Sequence, residues 1–304
     1  MLSRYNYKNL KWIDLESPSK DEIDYLVEEF KIPNPVGDEL LVSTLRSKVD
    51  LHEGLIFLIL HFPKVSLNKK TGKNEEVDFI LGKDFLITVH YEKSRPLNDF
   101  ARALELDTLL NKRKLNDDHA GFLFFELIKL LYRHSQEELE EVNDLLHELE
   151  DRIYGGQDDK NVYLISKVNR LLLDFKQATR YHLETLKSFE IVAKSFYGDR
   201  FQYYLDSIFG EYNKLQSKLE SHKEVLNDLR DTNDSLMTAK TNNKVGTLTV
   251  ISFIMLPLSL IAGIFGMNMR MMLIETKGDL IALLVSMAGL GLLLYAFFKI
   301  KKWI

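Results

Sequence analysis

Two apolar runs dominate the last fifth of the chain, and nothing before them is as long. Residues 245–267 read VGTLTVISFIMLPLSLIAGIFGM, about 23 positions without a charge. Residues 280–298 form the second run, of about 19 positions. At about 1.5 Å per residue, each can cross a hydrocarbon core as a helix. The pattern predicts a first span at 245–267, an external loop at 268–279, a second span at 280–298 and a basic tail at 299–304.

The chain before Val245 is patterned like a soluble protein. Leu10 to Leu15 alternates, with Trp12 and Ile13 as strand residues. Ser17-Pro18-Ser19 followed by Asp21 and Glu22 is a helix start with a capping serine and an acidic first turn. That helix should reach about Phe30 and stop before Pro33 and Pro35. Leu55 to Phe62 is apolar except for His61 and ends at Pro63, which predicts a strand. Lys69 to Asn74 reads as a polar turn. Glu76 to Leu81 and Asp84 to His90 flank Gly82-Lys83, a two-residue turn that fits a hairpin. Residues 1–96 are therefore expected to form an α/β domain within an α+β chain.

From residue 97 the period becomes helical. One helix is predicted over Asp118 to Tyr154 and broken by Gly155-Gly156. A second is predicted over Lys160 to Phe196, antiparallel to the first, completing a helical region at 97–198. The stalk, 199–244, carries a seam at Phe201, Leu205, Ile208, Tyr212, Leu215, Leu219, His222, Leu226, Leu229, Asn233, Leu236, Lys240 and Asn243. The intervals alternate four and three, as in a coiled coil. No proline or turn cluster separates this seam from Val245. One unbroken helix of about 100 Å is predicted through the first span. Its seam must be covered by self-association or by the preceding helices.

Composition narrows the function classes. The net charge is −5 and no basic stripe with interleaved aromatics occurs, so nucleic acid is not an expected partner. Cysteine is absent, which removes thiolate metal sites and cysteine nucleophiles. No HExxH, P-loop, GxGxxG or GxSxG motif is present, so neither an enzyme nor a catalytic cofactor is expected. MLSRYNYKNLKW lacks the apolar core of a signal peptide. Lys240, Lys244, Lys299, Lys301 and Lys302 flank the spans, while the loop balances Arg270 and Lys277 with Glu275 and Asp279. The positive-inside rule then puts both termini in the cytoplasm, on a cell-membrane protein.

The first span is patterned for more than anchorage. Thr247, Thr249, Ser252, Ser259 and Gly263 are small or polar, and Pro257 frees a backbone carbonyl. Such a carbonyl is tolerated in a bilayer where protein or a wet cavity satisfies it. Asn242, Val245, Leu248 (or Thr249), Ser252, Leu256, Ser259 and Gly263 recur every three or four residues, a candidate pore face. Packing through small residues is the competing reading. It also suffices for Ala282, Ser286 and Gly289 in the second span.

The span ends Ile261-Ala262-Gly263-Ile264-Phe265-Gly266-Met267-Asn268, with Met255-Leu256-Pro257-Leu258 before it. This stretch resembles the CorA family of divalent-cation channels, whose signature is Gly-Met-Asn at the outer end of the first of two C-terminal spans. Lys301-Lys302-Trp303 and the Phe79 to His90 hairpin are also similar to that family. The resemblance implies a homopentamer in the lipid bilayer, with Gly266, Met267 and Asn268 as the selectivity filter. An Asn268 ring would meet hydrated Mg2+, which sheds its waters reluctantly. It also implies Mg2+ as transported and regulatory ion, the latter between cytosolic domains. Candidates for that site are Asp199 and Asp206 against Asp78 or Asp84. Glu220, Glu224, Asp228 and Asp231 share a stalk face, either solvated or an acidic wall that concentrates cations. Arg270 stands where the family often has an acidic Met-Pro-Glu type of sequence, and Val245 where it often has Met. Carriage of Zn2+, Co2+ or Ni2+ on the same fold, and a non-conducting membrane-tethered coiled coil, are the alternatives.

Overall fold

The structure is a computed structural model that describes residues 1–64, 74–110, 119–266, 277–301 and 303. It forms two compact units, Met1–Leu229 and Arg230–Ile304.

The first unit is built on six strands: β1 (Leu2–Tyr7), β2 (Leu10–Glu16), β3 (Lys48–His52), β4 (Leu55–Phe62), β5 (Glu75–Leu81) and β6 (Phe85–His90). Their order is β1-β2-β6-β5-β4-β3. Only the β2–β6 pairing is parallel. The unbroken apolar run of β4 follows from burial on both faces. Leu55, Phe57 and Ile59 join a core with Ile23 and Leu26 of α1 (Lys20–Phe30) and Val36 of α2 (Asn34–Glu39). Ile56, Leu58, Leu60 and Phe62 join the larger core beneath the long helices. Ser19 caps α1 as expected: its hydroxyl accepts from Glu22 N, and Glu22 Oε2 accepts from Ser19 N at 2.9 Å.

The helices α3 (Arg95–Leu110), α4 (Gly121–Tyr154), α5 (Asn161–Thr179) and α6 (His182–Tyr197) follow. A short 3-10 turn, Asp199–Phe201, leads into α7 (Gln202–Gly266), one helix of 65 residues. The early seam of α7 is covered within the protomer: Phe201, Leu205, Ile208, Tyr212, Leu215, Leu219, Leu226 and Leu229 all belong to the larger core. The preceding helices therefore solve the seam problem up to Leu229.

Two expectations are corrected. The helix predicted over 160–196 is two helices, parted at Arg180-Tyr181. No glycine or proline marks the break, because tertiary hydrogen bonds hold it. The buried His182 donates through Nε2 to the His61 carbonyl at 2.8 Å, and its Nδ1 accepts from the Tyr132 hydroxyl at 2.9 Å. That carbonyl lies past the end of β3's pairing with β4 and is available. The hairpin turn is also displaced by one residue. Gly82 N donates to Phe85 O at 2.8 Å, so Lys83-Asp84 forms the loop. Glycine is required at 82 because a Cβ there would lie 2.2 Å from the Phe85 ring. The polar turn predicted at 69–74 lies almost wholly outside the described residues.

His182 also makes the fold sensitive to acid. Burial holds its pKa down, to about 3, with the nearby His61 charge acting the same way against its hydrogen bond to the His61 carbonyl. The folded value is below the ordinary value of about 6.5. Its contribution is therefore complete above pH ~6.5 and is lost as pH falls towards 3. The urea midpoint of the wild-type protein should fall over this window. His182→Gln should be less stable at pH 7 yet lose less on acidification; parallel pH profiles would contradict the assignment.

Candidate ion-conduction site in the C-terminal hairpin

The second unit holds the two apolar helices. The 18-residue windows that mark them have a mean hydropathy of 2.4 in each case, and almost none of their residues is buried. α8 (Lys277–Ile300) runs antiparallel to the end of α7. Phe253 lies beside Phe298, with ring centroids 6.2 Å apart, and a Cβ on Gly291 would lie 3.5 Å from Leu258 Cδ1.

Burial along α7 marks one covered face of the span; Ile251, Phe253, Met255, Leu260, Ala262 and Ile264 are exposed along with the predicted pore face. Gly246, Val250, Ile254, Pro257, Leu258, Ile261 and Phe265 are covered or half-covered, at helical spacing. Asn242, Val245, Leu248, Ser252, Leu256, Ser259, Gly263 and Gly266 are exposed. Thr249 is half-buried beside Val250, so Leu248 is the residue that continues the exposed face. Pro257 belongs to the covered side, not to the exposed one. Met267, Asn268 and Arg270 lie outside the described residues.

The hydroxyls of the span bond to their own helix. Thr247 donates to Asn243 O at 3.0 Å, Thr249 to Val245 O at 2.8 Å and Ser252 to Leu248 O at 2.9 Å. Each donor is thus satisfied without water or a neighbouring helix. Polarity alone does not require a wet cavity here. The outward oxygen of Ser252 is left as an acceptor, which suits the hydration shell of a cation.

The carboxylates proposed from the sequence separate by environment. Glu220, Glu224, Asp228 and Asp231 are exposed. Asp84, Asp199 and Asp206 are also exposed, and Asp206 accepts from Gln202 Nε2 at 2.6 Å. Asp78 is different and is corrected: it is 1 % exposed, on the interior of β5. Tyr91 donates to its Oδ2 at 3.0 Å. Burial, reinforced by the charge of Glu76, raises its pKa well above the carboxylate range and favours the neutral acid. A buried neutral acid is not placed to share an ion with a second protomer. Among the described residues, no three His, Asp or Glu side chains converge as a metal site within one protomer.

Periodicity also left a buried polar cluster unseen. Glu76 accepts from Thr44 N, and His61 sits between Thr44 O at 2.8 Å and Glu76 Oε2 at 3.4 Å. Burial lowers the His61 pKa, but Glu76 and Thr44 O outweigh it and the net direction is up. Only His61, as a polar interruption in an apolar strand, signalled this cluster.

Comparison with known proteins settles the family. The CorA-like Mg2+ transporter protein family matches residues 7–302. The chain belongs to that family. The Cobalt/magnesium transport protein CorA of Thermotoga maritima is 24% identical over 96% of this chain and 83% of its own. The Magnesium transport protein CorA of Wolinella succinogenes is 25% identical over 99% of this chain and 93% of its own. The complete structure of the CorA magnesium transporter from Methanocaldococcus jannaschii superposes with a TM-score of 0.83 at 19% identity, covering 99% of this chain and 93% of that one. This CorA-family chain is a divalent-cation transporter of the channel type, not an enzyme. Its α+β fold and paired C-terminal apolar helices agree with the sequence reading.

The predicted pore face and the covered face of α7 give a direct test, since the chain has no native cysteine. In reconstituted protein, Leu248→Cys and Ser252→Cys should react with a charged thiol reagent at least several-fold faster than Val250→Cys and Ile254→Cys. Equal rates would show that the exposed face meets lipid, not water.

Proposed function

We propose that this protein is a passive Mg2+ channel, assembled from five copies, that admits hydrated Mg2+ to the cytoplasm. The observation that carries the reading is the exposed face Asn242, Val245, Leu248, Ser252, Leu256, Ser259 and Gly263 on a span within the family match. Repeated around a symmetry axis, this face supplies apolar rings at Val245, Leu248 and Leu256 that can close by dewetting. Ser252 supplies acceptor oxygens between the Leu248 and Leu256 rings, and Ser259 supplies them beyond Leu256. Asn268, by the family resemblance, forms the outer ring. A neutral amide oxygen accepts hydrogen bonds from the ion's water without stripping it. Gly266 leaves room for the backbone to turn at that mouth. The exposure of Leu248, against the half-burial of Thr249, favours Leu248 for the wall.

Lys240, Lys244, Lys299 and Lys301 favour cytoplasmic termini. On that topology the exposed carboxylates Glu220, Glu224, Asp228 and Asp231 raise the local cation concentration at the inner end. Asp84, Asp199 and Asp206 are the candidates for a regulatory ion between protomers. Their mutual repulsion would loosen the assembly when Mg2+ is withdrawn, and the bound ion would relieve it. Similarity to the Cobalt/magnesium transport protein CorA of Thermotoga maritima favours Co2+ as a second permeant ion.

Flux tests the reading. Wild-type protein in liposomes loaded with a Mg2+-sensitive dye should admit Mg2+ under an inward-negative potential. Asn268→Ala should reduce that flux or its selectivity over Ca2+ by at least tenfold. A wild-type protein that admits no Mg2+ would contradict the channel; an Asn268→Ala protein with unchanged flux and selectivity would remove Asn268 from the filter.

A further inference from the structure

We infer that the basic, aromatic end of the hairpin binds the phosphate of anionic phospholipid headgroups. The inference rests on the two apolar helices spanning a bilayer, not on ion conduction.

The antiparallel register brings both sets of lysines to one end. Lys299 and Lys301 lie one and three residues beyond Phe298, which is level with Phe253. Lys244 lies nine residues before Phe253 on the other helix. At 1.5 Å per residue, the lysine backbones span about 12 Å along the axis. That band is comparable with a headgroup layer once the flexible lysine stems are counted. All three side chains are exposed, and no acidic residue lies between Lys240 and Gly266 or between Leu280 and Lys301.

The same end is aromatic. Phe298 lies 6.2 Å from Phe253, 5.6 Å from Phe297 and 5.8 Å from Trp303 between ring centroids. Trp303 is 60% exposed. An exposed indole on an apolar cluster is the composition of a membrane–water interface. The chain end is also held in place. Lys301 N donates to Phe297 O and Trp303 N to Phe298 O, each at 3.1 Å. These bonds satisfy the last carbonyls of α8 and fix Lys301 and Trp303 close to the helix.

The end of α8 is the negative end of its dipole and would itself repel an anion. Its partial charge is about half a unit, against three lysine charges in the band. The lysines therefore set the sign of the site. A headgroup phosphate meets their charge while its acyl chains lie along the exposed apolar surface. A free phosphate has no such second contact, so the occupant is a lipid.

The tryptophans make this measurable. The chain has two, and Trp12 is buried in the first unit at 1% exposure. Quenching by bilayer lipid therefore reports on Trp303. Full-length protein is reconstituted in phosphatidylcholine with small amounts of phosphatidylglycerol, either lipid being brominated near the top of its chains. Brominated phosphatidylglycerol should be enriched around Trp303 at least about five-fold over brominated phosphatidylcholine. K244Q/K299Q/K301Q together should bring the ratio close to one, and the matching Lys→Arg triple variant should keep it. Millimolar inorganic phosphate should leave it unchanged. Equal quenching in the wild type, full enrichment in the Gln variant, or loss of enrichment with inorganic phosphate would each overturn the inference. If the Gln variant does not assemble, 0.5 M salt on the wild type replaces it: enrichment must then fall several-fold, and persistence overturns the site. Mg2+ flux on the same liposomes is read separately, so failure of conduction and failure of lipid binding remain distinct.

Discussion

An α-helix with an apolar seam has to cover that seam, and α7 meets the requirement differently along its length. Through Leu229 its seam is part of the core of the first unit, each large side chain contributing roughly 1.5–3 kcal/mol of burial. Beyond that point the character changes: Leu236 is 39% exposed, and Leu248 and Leu256 are 64% and 70% exposed. Those residues have no cover within one protomer. In the proposed assembly, a bilayer and further copies of the chain supply what the protomer lacks. The same helix is thus a core element along its first part and a pore-wall candidate along its last.

The sheet makes that possible by being covered on both faces. α1 and α2 close one side, and the other carries the long helices. The junction is polar where it must be specific. His182 ties the α5–α6 break to the carbonyl of His61, which is itself bound to the 44–47 loop and to Glu76. A buried neutral histidine with both ring nitrogens satisfied fixes geometry that apolar contacts alone would leave loose.

The regular elements were legible because their periods are local. The α7 seam, the Ser19 capping box and the two apolar runs follow from nearby residues. The α5–α6 break was not legible, since its cause is a carbonyl on β4 far away in sequence. Asp78 looked like an available carboxylate; a sheet covered on both faces buries it, and burial and Glu76 favour its neutral form. Thr249 and Leu248 were not distinguished by spacing; within the protomer Thr249 is half-buried and Leu248 exposed. The reason for Gly82 was a ring contact with Phe85, not a left-handed backbone.

For the conduction account, then, everything turns on whether the exposed face of α7 encloses a continuous aqueous path. A planar-bilayer recording under a tenfold Mg2+ gradient tests this most directly. A Mg2+-selective path gives a current whose reversal potential moves by about 30 mV towards the value for a divalent ion. A silent bilayer containing assembled protein, or a current that ignores the Mg2+ gradient, would contradict it.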